Sequence, residues 1–166
     1  MRQLLFLFLC ALLFSCNEPK AIKLDSTNVT VQSNESAVVE FDSTLAKKLG
    51  GDAYGLKKYT FCFLDKGITK VLSLEEHESL EVGHVEYIEE LIENKEIVLA
   101  GYFNETKVHL GLLVFASNDP SYVNELLSKD PKVREGLLVP VMQSWTSSAA
   151  IHELYDIHQK IDRKAM

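Results

Sequence analysis

The chain has 166 residues, 46% of them apolar and 25% charged, with 17 Lys and Arg against 24 Asp and Glu. These are globular values, and they exclude a wholly disordered chain, which lacks the apolar side chains to offset the entropy of ordering. A formal charge of −7 argues against a surface built to displace counterions from nucleic acid, so no nucleic-acid partner is expected. A polytopic membrane protein is excluded as well, because the one long apolar run stands at the extreme N-terminus.

That run follows Arg2 and occupies residues 4–14. It is too short to cross ~30 Å of hydrocarbon comfortably and suits the apolar centre of a signal peptide. It stops at Leu13-Phe14-Ser15-Cys16, which resembles the lipobox of bacterial lipoproteins. The resemblance implies removal of residues 1–15, lipidation of the Cys16 thiol, and a membrane attachment through that lipid. The implied location is the bacterial cell envelope, on the periplasmic face or in the outer membrane. Each buried methylene of an acyl chain contributes ~0.8 kcal/mol of membrane affinity. Cys62 is then the last cysteine, without an internal partner for a disulfide. Its neighbours Phe61 and Phe63 suit a small buried hydrophobe in a strand.

Residues 16–55 read as a polar, partly disordered tether, with short strands at Val29-Thr30-Val31 and over 37–41. From residue 57 the pattern sharpens. The aromatic-rich stretch 58–65 reads as a strand broken by Gly67. Residues 74–94 read as a helix, capped by Ser73 and with Glu75, Glu76 and Glu78 at the positive end of its dipole. Strands follow over 96–103 and 109–116, separated by a polar turn. Asn118-Asp119-Pro120 starts a second helix running to about residue 128. Asp130-Pro131 ends it and opens a loop to Gly136. Residues 138–145 read as a fourth strand. Residues 147–161 read as a terminal helix with an apolar stripe at Ile151, Leu154, Tyr155, His158 and Ile161.

The order is β-α-β-β-α-β, a ferredoxin-like α+β module over 57–146 with an extra C-terminal helix over 147–166. One sheet covered by two helices leaves its other face bare, so a homodimer is expected.

On the first long helix His84 falls within the arc of Leu80, Val85, Tyr87, Ile88, Leu91 and Ile92, while Glu86, Glu89, Glu90 and Glu93 lie opposite. An imidazole in a core-facing stripe needs a partner for its nitrogens. Residue types alone leave it either a satisfied structural histidine or a functional one.

The stretch Gly83-His84-Val85-Glu86-Tyr87-Ile88-Glu89-Glu90-Leu91, with Ile97 to Gly101, Gly111 to Phe115, Asp130-Pro131 and Gly136, resembles the YCII-related family. The resemblance implies a dimeric α+β barrel in which a helix histidine and the Asp of Asp-Pro form a dyad, here His84 and Asp130. It departs from the family pattern at Lys95 or Glu96 in place of Gly, at Tyr102 in place of Pro, and at Lys132 in place of an aromatic residue. A relative in that family eliminates chloride from a chlorinated hydroquinone, so the implied chemistry is a lyase or isomerase step on a small molecule. A carboxylate on one ring nitrogen would free the other as a base. Tyr87, Tyr102 and His77 are candidates to line the pocket. The alternative is a non-catalytic binding or structural dimer in which the pair is a buried hydrogen bond. No histidine spacing resembles a zinc site, and neither a metal nor another cofactor is expected.

Overall fold

The computed structural model describes residues 40–68, 72–105 and 108–163. The leader, Cys16 and the expected strand at Val29–Val31 lie outside the described residues. Within the expected tether, Ser43–Lys48 forms a short helix, α1, whose N-cap Asp42 accepts the amides of Thr44 and Leu45. Asp52 then closes a turn by accepting the amides of Tyr54 and Leu56, which leads the chain straight into β1. Residues 40 and 41 are not in a strand.

Four strands follow in the expected order, with four further helices, one of which, Pro131–Arg134, stands where the sequence reads as a loop. They are β1 (Leu56–Lys66), α2 (Leu74–Glu93), β2 (Ile97–Tyr102), β3 (His109–Phe115), α3 (Pro120–Leu127), α4 (Pro131–Arg134), β4 (Leu138–Ser148) and α5 (Leu154–His158). The strands form one antiparallel sheet in the order β2-β3-β1-β4, and this is the ferredoxin-like α+β arrangement. Alternation along β1 sends Cys62 and Leu64 to one face, where Leu91 of α2 and Val123, Leu126 and Leu127 of α3 cover them. It sends Phe61 and Phe63 to the other. Tyr59 and Thr60 are adjacent and so point to opposite faces, yet both are buried. The open face is therefore covered at that end.

The cover is the C-terminal segment, and here the structure departs from the expected helix over 147–161. β4 runs on to Ser148, because Leu56 and Lys57 lengthen β1 and, with Lys58, pair with Ser148, Ser147 and Thr146. The chain then turns through a 3₁₀ stretch, Ala149–Glu153, before the short α5. The Ala149 amide bonds the Gly55 carbonyl at 2.9 Å, and Ile151 packs against Tyr59, Val98 and Val114. Strand pairing has overridden the 3.6-residue period of the apolar stripe.

Two local signals hold. Ser73 and Glu76 form a reciprocal capping box at the start of α2. Asp119 caps α3 with Pro120 in its first turn. The same logic operates where a loop was expected: Asp130 caps and Pro131 opens the single turn of α4. Lys95 has φ +60°, a left-handed conformation that favours Gly after a helix.

Candidate functional site

α2 and α4 meet at Gly83, where an added Cβ would come within 3.3 Å of Pro131 Cγ. The missing side chain allows a close approach, and the next residue, His84, reaches the cap of α4. Nδ1 of His84 lies 2.7 Å from Oδ2 of Asp130. The histidine side chain is 15% exposed and that of the aspartate 0%. The other carboxylate oxygen accepts the Lys132 amide at 2.8 Å. Both oxygens of a fully buried acid are thus engaged, as burial requires.

A carboxylate at Nδ1 places the ring proton there and leaves a lone pair on Nε2. That second nitrogen has no hydrogen-bond partner among the described residues, and the side chain as a whole is 15% exposed. The ring is held from within by Nδ1, and part of the side chain meets solvent. Such an arrangement can accept a proton from a bound molecule or serve as a hydrogen-bond acceptor.

Beside the pair, Lys132 Nζ donates to Glu81 Oε2 at 2.7 Å, again joining α4 to α2. This bond holds the Glu81 carboxyl below the usual carboxylate range, against a smaller opposing effect of burial. The sequence reading noted Lys132 only as a departure from a pattern and did not single out Glu81. The two stand 51 positions apart, so no local spacing could have joined them.

The other candidates are more scattered. Tyr87 lies one helical turn beyond His84, but its hydroxyl donates to the Leu126 carbonyl at 2.9 Å and so ties α2 to α3. Burial raises its phenol pKa. Tyr102, at the end of β2, is 81% exposed. His77 is exposed two turns before His84. Neither shares a hydrogen bond with the His84–Asp130 pair. A groove of about 780 Å³ lies between α2, β2 and α5, floored by Val98 and Leu99 and walled by Ile92 and Ile157, and none of these candidates lines it. Cys62 is fully buried, and burial pushes its thiol pKa up to about 12, the state of an inert packing residue.

A second His–Asp contact was not anticipated: His109 Nδ1 lies 2.6 Å from Asp65 Oδ1, with the imidazole stacked on Phe63 at 4.5 Å. These residues are register partners across β3 and β1, so only strand alignment could have shown them together. Among the described residues no group of three or more His, Cys, Asp or Glu side chains could hold a metal ion.

No family model matches the chain, and no curated protein matches it. Among solved structures it is similar to the 5-chloro-2-hydroxyhydroquinone dehydrochlorinase of Burkholderia phenoliruptrix AC1100, determined in complex with 2,5-dihydroxybenzoquinone. The identity is 18%, over 52% of this chain and 92% of that one, with a TM-score of 0.39. A likeness at this level lends no weight to an activity, and the fold assignment rests on the strand order given above.

Proposed function

We propose that the chain is a lipid-anchored, YCII-like protein of the bacterial cell envelope that binds a small molecule and moves a proton with His84, in a lyase or isomerase step. The observation that carries this reading is the 2.7 Å contact of His84 Nδ1 with the buried Asp130 carboxylate, an acceptor that, in the neutral ring, favours the proton on Nδ1 and the lone pair on Nε2. In the proposed step Nε2 removes a proton from a substrate carbon or hydroxyl, and the resulting imidazolium is stabilised by the buried carboxylate. Asp130 acts as a positioning residue, since its two oxygens are committed to His84 and to the Lys132 amide.

One observation favours a second reading, a non-catalytic module. Asp130 already has a structural duty as the cap of α4, so the His84 contact would also serve to fasten α2 to α4. Proton exchange separates the two. In deuterated buffer, a panel of small enolisable ketones and hydroquinones is followed by NMR with wild-type protein and with His84→Gln. Catalysis predicts faster C–H exchange for at least one compound with wild type and its loss in the variant. Equal rates with both proteins across the panel would favour the binding module.

The anchor is tested separately. Cys16→Ser is expected to leave the protein unprocessed or in the soluble fraction. Processing and detergent partitioning like those of wild type would remove the lipid anchor from the reading.

A further inference from the structure

The C-terminal segment is the part of the fold that the β-α-β-β-α-β frame does not require. It lies on the sheet face opposite α2 and α3 and covers Tyr59, Val98 and Val114 through Ile151. Among the described residues, two polar side-chain contacts fasten it. One, Lys95 Nζ to Asp156 Oδ2 at 3.2 Å, is exposed at both ends, and pairs of that kind contribute little. The other is Lys57 Nζ to His152 Nε2 at 2.7 Å, between half-buried side chains. Tyr59 lies beneath both partners: the ammonium is 5.7 Å and the imidazole 5.9 Å from the centre of its ring.

An ammonium only donates hydrogen bonds. A contact of this length therefore requires a lone pair on Nε2, and hence a neutral imidazole. A second ring proton would set two donors and two positive charges against each other where water is partly excluded. We propose that the Lys57–His152 contact is a proton-released latch, in which neutral His152 holds residues 149–158 on the sheet and protonation of the ring lets them leave it.

The groups facing the ring act in opposing directions. Lys57 and Tyr59 approach from β1, Lys95 from the turn between α2 and β2, and Glu153 from the segment itself. Burial, then the charges of Lys57 and Lys95, hold the His152 pKa below its ordinary value of 6.5, while Glu153 pulls it upward. A ring whose pKa is depressed in the docked state contributes its full stabilisation above the undocked value. That contribution is lost as pH falls through the lower, docked value. The segment is therefore closed at neutral pH and opens on acidification. Release uncovers Tyr59, Val98 and Val114, which continue the apolar face already exposed at Leu99, Val139 and Val141.

The chain carries a single tryptophan. It is Trp145, which packs in the same cluster as Ile151 with its ring 6.0 Å from that of Tyr59. The test is a pH titration of Trp145 fluorescence on the full chain, paired with hydrogen exchange over 149–158. Wild type should show a red shift with a midpoint below 6.5 and, below that midpoint, exchange about tenfold faster after correction for intrinsic rates. His152→Gln, which can still accept from Lys57 but does not titrate, should abolish the shift. Lys57→Gln should move the midpoint upward, because the opposing charge is gone. The same transition in His152→Gln, or no transition in wild type, would overturn the latch. Should His152→Gln fail to fold, an unmoved midpoint in Lys57→Gln would overturn it equally.

Discussion

At Asp130 one side chain does two jobs, and substitution separates them. Oδ1 caps α4 through the Lys132 amide and Oδ2 holds the His84 ring. Asp130→Ala removes both acceptors inside a fully buried site. Loss of a helix cap costs about 1 kcal/mol, and leaving a buried donor unpaired adds roughly 1–3 kcal/mol. The expected loss is about 2–4 kcal/mol in a denaturant titration. Asp130→Asn retains one oxygen for the cap and should cost about half as much. Equal costs for the two variants would mean that the carboxylate is not bonded as described. The pair itself was legible in the sequence only through the family resemblance, since the apolar arc around His84 left its role open. Asp65 with His109 and Lys57 with His152 were not legible, because each contact depends on which strand lies beside which.

Among the elements, the contact between α2 and α4 positions the ring. It has an apolar part, Gly83 against Pro131, and an ionic part, Glu81 with Lys132. The Glu81 pKa is depressed by the bond from Lys132, so its contribution is present above the usual carboxylate value of 4.5 and fades as pH falls through the lower folded value. Thermal melts across this range should show a loss of stability in wild type that Glu81→Gln lacks. An identical pH dependence in the variant would mean that the ion pair does not form in solution. The Ser73 cap, the Asp119-Pro120 start of α3 and the aromatic-rich strand β1 were readable because each is written within a few residues. α4 was missed because Asp-Pro is both a stop and a start. The strand end at Thr146–Ser148 was missed because its partner residues, Leu56 to Lys58, lay at the border of the expected tether.

On the scale of the whole molecule, the sheet has one face under α2 and α3 and another only partly covered by residues 149–158. Phe63 and Val141 pair directly across β1 and β4, and Val141, Val139 and Leu99 remain exposed. An apolar patch of this kind is costly to leave in water. The proposed assembly is a homodimer that buries this uncovered part, as the resemblance to a dimeric barrel implies. Light scattering at micromolar concentration should give twice the chain mass for wild type and a single mass for Val141→Asp. A wild-type monomer would contradict it. The residues before 57 belong in any such experiment, because Gly51 lies against Ala149 and the Gly55 carbonyl holds the Ala149 amide.

The proposed function requires that Asp130 orient the His84 ring so that, when neutral, its lone pair lies on Nε2. ¹⁵N NMR of the histidine rings, assigned with His84→Gln and repeated in Asp130→Asn, measures this without any substrate. At a pH where the ring is neutral, wild type should show His84 in one tautomer, protonated on Nδ1 with the lone pair on Nε2. Asp130→Asn should shift that balance toward Nε2–H, since the new amide can donate to Nδ1. A wild-type mixture of both tautomers, or a spectrum unchanged by Asp130→Asn, would contradict an oriented base at His84.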